Sequence, residues 1–273
     1  MQGWRRLKKR QSPDAEALLR AQEAWCLNAC SRFANRDYSQ VWALNNRDRK
    51  ISALIIHSKQ SLLPVLCGQD VPPPHFLSGI THIHSLQGRK QDVVFLEAEL
   101  EKTGLFAAEN INYDLMCLDS PPTGFQSAGP SGLLIRKPQP SDMDALAALH
   151  AAYEQEEVLP ASAAFNPAAS RLNIERIFAK QHMLAAEFGG RLVGKINTNA
   201  VAFTRYQVGG VYVLPACRGL GIARRMAGEF SASLIAQGKG ISLFVKKSNQ
   251  AARRVYQRIG FEITGDYRIS YYK

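Results

Sequence analysis

The sequence predicts an α+β protein of two mixed α/β domains, and three observations carry that prediction. Both halves read as helices alternating with short β-rich runs, in the order helix, meander, helix, strand. A stretch rich in glycine, proline and serine, residues 119–132, reads as a linker between a domain at 1–118 and another at 133–273. Within the second half, a β-branched and aromatic run from Gln207 to Leu214 ends at Pro215 and passes through Arg218, Gly219, Leu220 and Gly221 into a helical pattern.

The elements follow in chain order. Ser12-Pro13 opens a helix, with a capping side chain and a proline in the first turn, and Asp14 and Glu16 suit its positive end. Leu18, Leu19, Trp25, Cys26, Ala29 and Phe33 then recur at helical spacing up to Arg36, the buried face of one helix. Val41 to Leu44, Ile51 to His57 and Leu62 to Leu66 form a small antiparallel meander, with Pro64 placing the last run at an edge. Ile80 to His84 is read as a strand with His82 and His84 on one face, a spacing able to hold a metal but without a further ligand. Asp92 to Lys102 is helical and Asn112 to Leu118 is a strand.

The second half begins with a strand, Leu133 to Lys137, and a helix capped by Pro140-Ser141-Asp142. Tyr153 to Pro160 carries Glu154, Glu156 and Glu157 and leads into an irregular stretch. A helix from about Ala168 to Lys180 precedes strands at Met183 to Phe188, Arg191 to Val201 and Tyr206 to Val213, the first two joined by the hairpin pair Gly189-Gly190. The turn helix Ala223 to Ile235, a strand Ile241 to Val245, a helix Asn249 to Ile259 and a strand Tyr267 to Tyr272 complete it.

Glycines between strand and helix let the backbone turn tightly and approach a ligand, while a helix start aims unpaired N–H groups and a positive dipole end into the turn. This is an anion cradle, suited to a pyrophosphate. It contains neither G-x-G-x-x-G nor a closing Gly-Lys-Ser/Thr, so it is neither a Rossmann turn nor a P-loop. Arg218-Gly219-Leu220-Gly221-Ile222-Ala223 resembles the R/Q-x-x-G-x-G/A signature of the GNAT superfamily of acyl-CoA-dependent N-acyltransferases. Asn249, Ala252, Tyr256, Gly260 and Phe261 follow in the pattern N-x-x-A-x-x-x-Y-x-x-x-G-F, also similar to that family. The resemblance covers about 133–272, and the amino-terminal half is similar to a degenerate GNAT-like relative without the glycine signature.

The resemblance implies a GNAT fold, a mostly antiparallel twisted sheet flanked by helices, and transfer of acetyl from acetyl-CoA, as co-substrate, to a primary amine by direct attack. It implies that the backbone of Val211, Tyr212 and Val213 pairs with the pantetheine arm, and that N–H groups from Arg218 through Gly219, Leu220, Gly221, Ile222, Ala223 and Arg224 meet the pyrophosphate. Asn249 either bonds the pantetheine or caps its helix. Tyr256 matches the residue that protonates the departing thiolate in many relatives, with core packing as the alternative. Several relatives carry a glutamate on the strand five residues before the motif asparagine, and here that position is Phe244. Glu156 and Glu157 are then candidates for a base, for amine recognition, or for a solvated face, and Tyr206 and Gln207 for hydrogen bonds to the acceptor.

Composition narrows the alternatives. The net charge of +11 invites a nucleic-acid reading. Between Arg218 and Arg258, however, nine basic residues stand against Glu229 alone, so a small polyanion accounts for much of the excess. No dedicated nucleic-acid motif is present. No apolar run approaches the roughly 20 residues that span a bilayer, and the basic amino terminus lacks the apolar segment of a signal peptide. Five scattered cysteines fit a reduced, cytoplasmic protein. Cys26 and Cys30 share a helix face as packing residues, and Cys217, without a histidine partner, is incidental, so no metal is expected. The acceptor, a small molecule or a protein amine, stays open, as does a homodimer. Two rival readings are an acyl-CoA sensor without turnover and a basic protein that contacts RNA or the ribosome.

Overall fold

The computed structural model describes residues 3–68, 72–159 and 163–273. The chain forms two compact units, one of Met1–Leu115 with Ala202–Arg205 and Thr264–Lys273, the other of Met116–Val201 with Tyr206–Ile263. The divide falls at Leu115/Met116, upstream of the stretch read as a linker, and the final strand belongs to the first unit from Thr264 onward.

The first unit contains β1 (Trp4–Arg6), α1 (Ser12–Ala21), α2 (Glu23–Ala34), β2 (Gln40–Asn45), β3 (Ile51–Ser58), β4 (Ser61–Val65), β5 (Ser85–Arg89), α3 (Lys90–Glu101) and the start of β6 (Glu109–Leu118). The single helix expected from Ser12 to Arg36 is broken at Gln22, whose φ of −112° and ψ of 9° leave the helical region while its N–H is shared between the Leu18 and Leu19 carbonyls. β1 to β4 pair in antiparallel succession, and β4 then pairs β5 in parallel. Pro64 therefore lies on an inner strand and not at an edge. The β4–β5 ladder comprises Ser61↔Ser85 and Leu62↔Leu86 and stops before Pro64, so the missing donor falls where no bond to β5 is required. Ile80 to His84 is not a strand: the Ile80 N–H closes a turn onto the Leu77 carbonyl, and β5 begins at Ser85. Ala202–Arg205 is tied in by Glu23, whose carboxylate accepts from the Thr204 N–H, the Thr204 hydroxyl and the Arg205 N–H at 2.6–3.2 Å.

The second unit holds β7 (Leu134–Arg136), α4 (Met143–Tyr153), a π-helical turn Glu154–Val158, α5 (Pro167–Lys180), β8 (Met183–Phe188), β9 (Arg191–Val201), β10 (Arg205–Val213), α6 (Ile222–Ile235), β11 (Gly240–Lys246) and α7 (Gln250–Arg258). Glu154 to Val158 thus continues α4 without a break. The irregular stretch read after it falls partly on 160–162, outside the described residues. Within this unit the strand order is β7-β8-β9-β10-β11. β12 (Glu262–Tyr271) leaves it at Ile263 and pairs antiparallel with β5 from Tyr267↔Arg89 to Tyr271↔Ser85.

Two details position the site. Arg136 grips the carboxylate of Asp142 through two bonds of 2.7 and 2.9 Å and reaches Glu187 at 2.7 Å, fixing the entry to α4. That guanidinium holds the Asp142 carboxyl below the usual carboxylate range. Residues 119–132 are not a free linker. Phe125 and Ala128 are buried, and the Phe125 ring lies against Gly228 of α6, where a Cβ would come within 2.1 Å of it. The turn composition was read correctly as irregular chain, but Phe125 anchors that chain to the core beside Met226, Ala227 and Phe230.

Candidate functional site

β10 carries the geometry from which the site grows. Opposite β9 it pairs Gly209↔Asn197 and then Tyr212↔Lys195, so Gly210 and Val211 together oppose Ile196 alone. This is a β-bulge, and its extra residue drops out of the ladder. Gly210 has φ +59°, and a Cβ there would meet the Asn197 amide at 2.0 Å, so the position tolerates only glycine. Beneath the bulge, fully buried Lys195 donates to the Gly210 carbonyl at 2.9 Å and to the Asn197 side-chain oxygen at 3.3 Å, its ammonium 4.6 Å from the Tyr153 ring centre. Burial pulls its pKa down to about 7. Nearby, His150 contacts Glu154 at 3.1 Å, and burial brings its pKa to about 4.

Beyond the bulge the strand runs through Val211, Tyr212 and Val213 to Pro215 and the glycine turn. Gly219 and Gly221 have φ of +80° and +81°, and Gly221 is the N-cap of α6. Ile222, Ala223 and Arg224 form its first turn, where N–H groups have no intrahelical acceptor. The strap 127–129 backs the turn, and a Cβ on Gly221 would stand 2.9 Å from the Gly129 nitrogen.

These parts surround a cavity of about 890 Å³. Every position the family resemblance implied for the co-substrate borders it: Val211, Tyr212, Val213, Arg218, Gly219, Leu220, Gly221, Ile222, Ala223, Arg224, Asn249 and Tyr256. Glu156 and Glu157 border it as well. The sequence reading missed Ser127, Ala128 and Gly129, taken for linker, and Ser248, while Lys246, Arg254 and Arg258 entered it only as members of the basic cluster around the cradle. Only the buriable Phe125 among the linker residues hinted that this chain would pack. Tyr206 and Gln207 do not line the cavity. Tyr206 is buried, with its hydroxyl donating to Gln237 at 2.8 Å, and Gln207 is buried with its side-chain oxygen unpartnered.

The two glutamates are differently placed. Arg218 donates to both oxygens of Glu156 at 2.8 Å, and the Tyr212 hydroxyl donates to the same carboxylate at 3.2 Å. That guanidinium holds the Glu156 carboxyl below the usual range. Arg218 also donates through Nε to the Val213 carbonyl at 3.0 Å, bracing the turn against the strand. Glu157 accepts from the Asn249 side-chain amide at 3.1 Å, and burial raises its carboxyl above the usual range despite Lys246 nearby. Of its two expected roles, Asn249 fills that of the cap: its Oδ1 accepts from the Ala252 N–H at 3.0 Å at the start of α7, and the residue borders the cavity. Tyr256 is buried at the cavity wall, edge-on to Phe261, and burial pushes its phenol well above the ordinary value.

The chemistry of the lining fits a polyphosphorylated ligand. Five cationic side chains, Arg218, Arg224, Lys246, Arg254 and Arg258, face two carboxylates. The Arg224 Nε is buried without a hydrogen-bond partner, and a phosphate oxygen at the helix start would satisfy it. Cys217 also borders the cavity as a buried free thiol. Among the described residues no group of three histidine, cysteine or acidic side chains could hold a metal ion, and no helix is long and apolar enough to cross a membrane. Cys26 and Cys30 share a helix face with their sulfurs 3.5 Å apart.

The model of the Acetyltransferase (GNAT) family matches residues 146–261. Comparison with curated proteins finds no match. The X-ray structure of a Drosophila protein aligns over 99% of this chain and 99% of its own, at 14% identity and a TM-score of 0.70. A GCN5-related N-acetyltransferase from Sphaerobacter thermophilus aligns over 98% of this chain and 94% of its own, at 19% identity and a TM-score of 0.58. A tandem GNAT protein from the clavulanic acid biosynthesis pathway aligns over 100% and 98%, at 12% identity and a TM-score of 0.56. At such identities the likeness establishes fold, and it extends over both halves of the chain.

Proposed function

Because the model of the GNAT acetyltransferase family matches residues 146–261, we propose that the cavity binds acetyl-CoA and that the protein transfers the acetyl group to a primary amine by direct attack. One observation carries this reading: the bulged strand, the glycine cradle, Asn249 and Tyr256, widely separated in sequence, line a single cavity of about 890 Å³. Val211 to Val213 offer backbone groups to the amides of the pantetheine arm, as a strand edge accepts another strand. The amides of Ile222 to Arg224 and the Arg224 guanidinium hold phosphate oxygens.

The residues divide the proton work by environment. Tyr256 keeps its proton at neutral pH because burial disfavours the phenolate, so it can donate to the departing sulfur. Glu157, with a carboxyl raised by burial, is the better base for the incoming amine and stands in for the glutamate absent at Phe244. Glu156 is committed to Arg218 and shapes the cradle. No covalent bond to the protein is needed, and Cys217 has no part.

Thiol release from acetyl-CoA over a panel of amines tests this reading. Turnover is expected with at least one amine, and Tyr256→Phe should lower kcat on the order of 100-fold while coenzyme A still binds. The loss of the strand glutamate at Phe244 favours one rival, a sensor of acyl-CoA. Tight binding with no turnover on any amine would support it.

A further inference from the structure

A second cavity, of about 560 Å³, lies within the first unit, against one face of the β1-β2-β3 sheet. Its volume is in the range of small-molecule sites. Register fixes which residues share that face. Arg6 pairs with Trp42, Trp42 with Ile55, Gln40 with His57, and Trp4 with Leu44, so these side chains project to one side.

Along most of its length this face is core: Trp4, Leu44, Ile55 and Leu62 are buried together. At one end the apolar pattern stops and Arg6, Gln40 and His57 occupy positions where it would continue. Departures of this kind from the local pattern concentrate at functional positions.

The walls are aromatic and the polar groups are cationic or donors. Trp42 and Phe76 stack at 4.1 Å with 2° between their planes, and the edge of Phe76 meets Trp4 at 6.0 Å. His57 lies nearly parallel to Trp42 at 6.4 Å, and its Nε2 is buried without a hydrogen-bond partner. His75, at the start of the short helical turn His75–Gly79, and His82, from the segment read earlier as a strand, also line the cavity. Arg5 and Arg6 stand on the rim, and among the described residues neither is ion-paired and no acidic side chain lines the cavity.

We propose that this cavity is a binding site for a flat ring bearing an anionic group, held by Arg6, Gln40 and His57 with the ring against Phe76 and Trp42. Arg6 supplies the charge, as guanidinium binds carboxylate and phosphate alike. The Nε2 of His57 gains the partner it lacks. The ring continues a stack that the protein has already begun. A nucleotide and an aromatic carboxylate share this chemistry. The site is independent of the acetyl-CoA cavity, and nothing in its argument rests on acyl transfer.

Calorimetric titration of the full chain with adenosine 5′-monophosphate, benzoate and inorganic phosphate tests it. One ring-bearing anion should bind at a single site, and inorganic phosphate at least tenfold more weakly. A response to the monophosphate identifies a nucleotide site, and a response to benzoate an aryl carboxylate site. Arg6→Ala, on an exposed side chain that the fold does not need, and Gln40→Ala should each weaken that binding about tenfold, the worth of one charge-assisted hydrogen bond. Arg224→Ala in the other cavity should leave it unchanged. The proposal is overturned if neither ring-bearing anion binds, if phosphate alone binds as tightly, or if Arg224→Ala abolishes binding that Arg6→Ala and Gln40→Ala leave intact.

Discussion

The two units solve the same connection differently. In the first, the chain leaves β4 through Cys67 and Pro72-Pro73-Pro74, makes a short turn of helix at His75–Gly79, and enters β5. In the second, it leaves β10 through Pro215, turns at Gly219 and Gly221 with positive φ, and enters a helix of 14 residues before β11. The contrast teaches that strand order alone does not make an anion site. Two glycines at positive φ leading into a helix long enough to carry a dipole are needed; among the described residues the first unit's connection has Gly68 and Gly79, neither at positive φ, and only a five-residue turn of helix.

The largest effect should come from erasing that difference. Gly221→Val places a branched side chain at φ +81° and against the Gly129 backbone, and coenzyme A affinity measured by calorimetry should fall about 100-fold. A matching change in the first unit, Pro73→Ala, should leave it unaltered. Next in size is Glu157→Gln, which should lower kcat by about 100-fold. A base must be ionised to act, so the wild-type rate should fall as pH drops through a pKa above the usual carboxylate range, and this acid limb should vanish in the variant.

A smaller effect tests the strap that only the second unit's cradle possesses. Gly228→Ala drives a Cβ into the Phe125 ring and should cost about 1–3 kcal/mol in denaturant unfolding, with weaker coenzyme A binding as the strap lifts. The smallest concerns Lys195. Its folded pKa of about 7 lies below its unfolded value, so stability should rise as pH increases from about 7 toward the unfolded pKa. Lys195→Met should flatten that rise in a melting-temperature series.

The cradle was legible because its chemistry is local: glycines, a proline and a helix start lie within one short stretch. The division of labour between Glu156 and Glu157 was not, because it depends on Arg218, 62 residues from one of them, and on burial of the other. The strap was misread because its composition describes backbone freedom, whereas Phe125 decides where the chain rests. The metal-like spacing of His82 and His84 dissolved for a related reason. Alternation places two side chains together only if a ladder forms, and the turn at Ile80 pre-empts it.

The return of β12 to pair with β5 has a consequence for how the protein is made. The unit that begins the chain cannot close its sheet until residues 264–273 have been synthesised, after nearly all of the other unit. Biosynthesis must therefore hold a β5 edge open across more than half the chain, and trimming the tail would unmake the end that was translated first.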